Sequence, residues 1–143
     1  MTLWQDYLSN NETKTYFMAT VKQLSQTLKV TFGIVPIVAG LDKFTNLLTH
    51  WSDYLGNNKS MLPMDPETFM KVVGVIEIIA GIIVFTRTVV GAYIVMIWLI
   101  CIAIQLLVGG HYFDVAVRDL VMAVGAYTLA QLARMDSATR VAG

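Results

Sequence analysis

The sequence predicts an all-α protein: an antiparallel four-transmembrane-helix bundle with a kinked first helix and an amphipathic N-terminal lead-in. Three observations carry this. The stretch Val89–Phe113 contains no acidic, lysine or arginine residue and exceeds the roughly 20 apolar residues that one bilayer crossing needs. Segments 29–48, 69–86 and 115–132 have the same membrane-helix character. Hydrophobic residues make up 56% of the 143-residue chain and charged residues 14%, against about 25% charged in ordinary soluble domains.

Residues 1–28 read as a polar start followed by an amphipathic lead-in. Trp4 and Tyr7 are candidate interfacial anchors, and Phe17, Met18, Val21, Leu24 and Leu28 fall at helical spacing. This segment is expected either to lie on the membrane surface or to continue into the first membrane helix. The opening residues lack the basic start and apolar core of a cleavable signal.

The four-helix domain is expected over 29–133, with helices at about 29–48, 67–86, 89–109 and 115–132. Pro36 removes a backbone donor inside the first helix, so a kink is expected there. Gly33 and Gly40 lie on one face, where missing side chains allow close helix packing. The connection 49–65 is the longest and contains a Trp–Tyr pair suited to the headgroup level. Asp65-Pro66-Glu67 is a strong helix start, combining an N-cap oxygen, proline at the first position and an acid at the positive end. The link at Arg87 is so short that the second and third helices must be antiparallel neighbours. Gly109-Gly110 ends the third helix, and Asp114 caps the fourth. Residues 134–143 read as a polar, frayed tail.

Basic residues orient the bundle. Lys14, Lys22, Lys29, Arg87, Arg134 and Arg140 fall on the side of the termini, outnumbering Lys43, Lys59, Lys71 and Arg118 on the other. The expectation is a multi-pass protein of the cell (inner) membrane with both termini cytoplasmic.

Each helix carries a polar group toward its outer end: Asp42 and Lys43, Lys71, Gln105, and Arg118 with Asp119. At 1.5 Å rise per residue these fall in one layer, about 5–9 Å below the outer surface. Charges at that depth must be paired or wet, for example Lys43 with Asp119 or Asp42 with Arg118. Such pairs could be structural glue, line an outward-facing pocket for a polar or quinone-like head group, or form a docking surface. His50, Trp51, His111 and Asp114 are outer-face candidates. Glu77 lies mid-helix, with Gly74, Ala80 and Gly81 on its face, so it should point to a neighbouring helix. It is a functional-site candidate or a buried hydrogen-bonding group. Desolvation is expected to keep its carboxyl protonated or hydrogen-bonded, with Tyr93, Tyr127 and the carbonyl freed by Pro36 as candidate partners.

Several classes find no signature. Zero net charge gives no sign of nucleic-acid binding. Cys101 alone makes neither an internal disulfide nor a CxxC pair. The two histidines have no metal-ligand spacing, so no metal site is predicted. There is no phosphate loop, Ser–His–Asp set or dinucleotide fingerprint, and no catalytic residue can be assigned.

The chain resembles the DoxX-like family of small four-helix membrane proteins. The similarity rests on K-x3-G-x6-G-x2-K at Lys29, Gly33, Gly40 and Lys43, on Glu77-x3-Gly81 running to Thr86-Arg87, and on Arg118-Asp119-Leu120. Lys29 stands where the family usually has arginine. The resemblance implies the four-helix fold and an accessory integral-membrane subunit of a quinone-linked redox or respiratory complex. Such a subunit would be non-catalytic on its own, in contact with lipid and partner membrane subunits or further copies of itself. A non-catalytic scaffold, assembly factor or chaperone is the alternative, and a small-molecule or lipid carrier the second. A quinone or lipid is the candidate ligand, with nothing bound covalently.

Overall fold

The computed structural model describes residues 2–142. It contains α1 (Leu3–Thr45), a short 3-10 cap segment (Trp51–Met61), α2 (Pro66–Thr86), α3 (Thr88–Gly109) and α4 (Phe113–Ala142). All four α-helices are long and apolar enough to cross a membrane, which makes the chain a multi-pass helical membrane protein.

The lead-in and the first membrane helix are one element. α1 runs 43 residues and continues through Pro36. Its start is fixed by the Thr2 amide, which donates to Gln5 Oε1 at 3.1 Å. At 1.5 Å per residue α1 is about 65 Å long, roughly twice the ~30 Å hydrocarbon core of a bilayer. α1 ends at Thr45, before the expected Leu48, and Asp42 is the cause. Asn46 takes a left-handed conformation (φ 51°), and the Asp42 carboxylate captures the Leu47 amide at 3.0 Å and the Leu48 amide at 3.2 Å. A side chain that binds amides beyond the helix competes with further helical turns.

α2 begins as its sequence predicts: Asp65 accepts from the amides of Glu67 and Thr68, with Pro66 in the first turn. Gly110 ends α3 at φ 73°. The fourth helix differs from expectation, since α4 extends through the tail to Ala142. Each added residue there continues the backbone ladder. Arg140 also pairs with Asp136 at 2.9 Å, one turn earlier, a spacing that supports an exposed helix. Met1 and Gly143, the outer limits of the two terminal segments, lie outside the described residues.

The interior is built largely from small side chains. Ala80, Ala92, Ala103, Ala116, Ala123, Ala126 and Ala130 are buried, with Val84, Leu106 and Leu129 as the largest fully enclosed groups. Lipid tails are as apolar as leucine, so membrane helices associate through close packing rather than hydrophobic transfer. The tightest approach is between α1 and α2. A Cβ added at Gly74 would stand 2.6 Å from the Gly40 carbonyl oxygen, and one at Gly81 would stand 2.5 Å from that of Gly33. Two glycine–glycine contacts, of which that between Gly40 and Gly74 is reciprocal, therefore set the antiparallel register of these helices. The outward faces carry Ile, Val, Leu and Phe side chains, among them Ile79, Ile82, Ile97 and Val121.

The cap segment closes one end of the bundle. Leu55 is buried beneath it. Gly56 (φ 51°) passes so close to α3 that an added Cβ would meet the Gly109 carbonyl oxygen at 3.0 Å.

Candidate functional site: a buried ion pair under an aromatic cap

The α1–α2 register determines what meets what. Lys43 lies one turn beyond Gly40, and its stem enters the groove that Gly74 leaves open: the Lys43 Cβ is 3.1 Å from where a Gly74 Cβ would be. From there the side chain runs inward. Its Nζ donates to Glu77 Oε2 at 2.7 Å, and the two side chains are only 4% and 8% exposed. Trp98 of α3 adds a long 3.5 Å contact from its indole nitrogen to Glu77 Oε1. Every enclosed polar side-chain atom among the described residues has a partner.

The ammonium group is covered from the other side by the cap. Lys43 Nζ lies 3.7 Å from the centroid of the Trp51 ring, a cation–π geometry. The Trp51 indole nitrogen donates to Asp42 Oδ2 at 2.7 Å, and Thr45 Oγ1 donates to Asp42 Oδ1 at 3.2 Å. Asp42 and Lys43 thus grip the same tryptophan, one by its edge and one by its face. Aromatic contacts extend from Trp51 to Tyr54, with ring centroids 5.8 Å apart, and from Tyr54 to Tyr112 at 4.5 Å. Gln105 of α3 anchors this row by donating from Nε2 to the Tyr54 carbonyl at 3.1 Å. Asn58 Nδ2 donates to the Gln105 carbonyl at 3.3 Å.

The expected polar layer is therefore divided. Lys43, Glu77 and Asp119 converge in the interior. Asp42, Trp51 and Gln105 serve the cap. Lys71 is exposed and shares a small mouth cleft with Lys43, Asn46, His50, Ser52 and Glu67. Arg118 faces outward, its side chain 68% exposed and 3.9 Å from Asp114. His50 is exposed at the start of the cap, and His111 Nδ1 lies 2.9 Å from the Gly109 carbonyl oxygen.

Three pairings differ from expectation. Lys43 meets Glu77 instead of Asp119, because the glycine register brings α2 closest to α1. Asp42 binds the cap instead of Arg118, because the amides of Leu47 and Leu48 lie within its reach. Glu77 takes a lysine and a tryptophan as partners instead of a tyrosine or the backbone. Tyr93 is engaged elsewhere, accepting from Gln131 Nε2 at 3.0 Å. Trp98 was not among the residues singled out by sequence. The indole nitrogen in a helix without charged residues was the available signal, since such a donor usually finds a partner when buried.

Among the described residues, no three His, Cys, Asp or Glu side chains gather as a metal-ligating group. The mouth cleft has a volume of about 20 Å³, room for about one water molecule. Compared with family models, characterised proteins and solved structures, the chain matches none.

Proposed function

We propose that this chain is an accessory integral-membrane subunit, a rigid helical post on which a larger membrane assembly is built. The observation that carries the reading is the length and exposure of α1. Its first two-fifths protrude along the side of the bundle that holds both termini. Leu3, Trp4, Tyr7, Leu8, Tyr16 and Phe17 are each more than half exposed there. A helix of good length but no apolar partner is marginal in water, and aromatic side chains are the usual anchors of protein interfaces. The interior supports the same reading, because the Lys43–Glu77 pair and the cap stiffen the bundle.

The motif similarity to DoxX-like proteins agrees with a subunit role and names quinone-linked complexes as the first partners to test. A quinone ring exceeds the water-sized mouth cleft, so its site would be shared with a partner chain. Both termini would be cytoplasmic in the cell membrane, which places the protruding α1 on the cytoplasmic side.

The test is gentle purification of the full chain and of a variant lacking residues 2–20. Co-purifying membrane subunits that are lost on truncation, while the bundle stays folded, support the reading. Partner subunits retained on truncation reject α1 as the docking element. A chain that purifies alone in both forms favours the scaffold or chaperone alternative.

A further inference from the structure

Asp119 stands apart from every other buried polar group. The residue is 7% exposed, on the face of α4 that carries Ala116, Ala123 and Ala126 into the core. Among the described residues it makes neither an ion pair within 4 Å nor a side-chain hydrogen bond. Since fully enclosed polar atoms all have partners, its carboxylate oxygens keep a narrow opening rather than complete enclosure.

The charged groups acting on it are Lys43 from α1, Glu77 from α2 and Arg118 on its own helix. α3 carries no acidic or basic residue, and the acid and lysine of the cap, Asp53 and Lys59, pair with each other at 3.4 Å. Lys43 is already held by Glu77 at 2.7 Å. Arg118 is turned outward toward Asp114. Of the three buried carboxylates, Glu77 has Lys43 and Asp42 is held by the Trp51 indole and the Leu47 and Leu48 amides, which leaves the Asp119 carboxylate without a partner. A carboxylate at membrane depth needs a pairing group, water or a proton, and the fold supplies no pairing group.

We propose that Asp119 is an exchangeable proton site: its carboxyl takes up and releases one proton beside the Lys43–Glu77 pair. The site is stoichiometric, one proton per chain. Uptake neutralises the Asp119 carboxylate, and release leaves it charged and facing the narrow opening. Lys43 is the internal competitor for Asp119, restrained by its bond to Glu77. The site does not depend on the subunit role proposed above.

A hydrophobic carbodiimide is the probe, because it modifies membrane carboxyl groups only in their protonated form. The full-length protein in liposomes of neutral phospholipid is labelled and the modified residue is found by peptide mass spectrometry. Asp119 should be labelled, with the labelled fraction falling as pH rises, and Glu77 should not. Asp119→Asn should reduce the label to background. In Glu77→Gln, Lys43 is freed to pair with Asp119, so Asp119 labelling should be lost. Sodium and potassium salts should leave the labelling unchanged, and suppression by sodium would contradict a site that takes up only a proton. Lys43→Ala leaves Glu77 unpaired and should make it reactive, which confirms that the reagent reaches this depth. An Asp119 that stays unlabelled at every pH while Glu77 reacts in Lys43→Ala overturns the proposal. Equal labelling of Asp119 in the parent and in Glu77→Gln also overturns it.

Discussion

Lys43 reaches Glu77 by running inward past Gly74, away from the nearer aqueous surface. Lysines near the ends of membrane helices ordinarily direct the ammonium outward to the interface. Here the glycine groove opens the inward path, the 2.7 Å bond to Glu77 rewards it, and the Trp51 ring closes over the ammonium at 3.7 Å. The pair fastens α1 to α2, and through Trp51 it also holds the cap.

Gly74→Ala should destabilise the bundle through two clashes, with the Gly40 carbonyl at 2.6 Å and the Lys43 Cβ at 3.1 Å. Overpacking of this kind costs about 1–3 kcal/mol. Thermal unfolding in a mild detergent is the measurement. An unchanged midpoint would mean that α1 and α2 do not approach as closely as the glycines permit.

Trp51 contributes both a ring to Lys43 and a donor to Asp42, and substitutions separate the two. Trp51→Phe keeps the ring and removes a bond to a charged group, worth about 1.5–3 kcal/mol. Trp51→Leu removes both. Hydrogen exchange across Trp51–Met61 should accelerate in Phe and accelerate further in Leu. Equal rates in parent and Leu would show that Trp51 does not hold the cap.

Arg118→Ala should change stability by less than about 1 kcal/mol, the range of exposed ion pairs. Its side chain is 68% exposed and 3.9 Å from Asp114. A large loss on denaturation would place Arg118 inside the bundle, contrary to the structure.

Much of the fold was legible in the sequence. Asp65-Pro66-Glu67 started α2, Gly110 stopped α3, and the glycines marked a close-packing face on α1 (Gly33, Gly40) and another on α2 (Gly74, Gly81), without showing that the two faces meet. The partners of the charged residues were less legible. Depth along a helix follows from residue count, but which groups meet also depends on helix register and on side-chain direction. The sum of positions 40 and 74 equals that of 33 and 81, so the glycines fit one antiparallel register once the two faces meet. They did not show that Lys43 would turn inward. The extent of α1 and α4 was hidden for another reason: polar composition separates membrane from water but does not end a helix.

Orientation can be read by single cysteines introduced at Asn57 and Ser137 in a Cys101→Ala background, both positions being exposed. An impermeant thiol reagent added to intact cells should reach Asn57, and Ser137 only after the membrane is opened. The reverse pattern would invert the placement of the termini. Labelling of both from one side would contradict four crossings.

The central claim is that Lys43 and Glu77 act as one buried unit, and a double-mutant cycle in thermal unfolding tests it most directly. Removing one partner of a buried pair leaves an uncompensated charge and costs about 3–5 kcal/mol. Lys43→Met and Glu77→Leu should each destabilise the bundle on this scale, while the double variant should lose far less than their sum. Strict additivity of the two losses, or a larger coupling between Lys43 and Asp119 in the parallel cycle, would contradict the pairing seen in the structure.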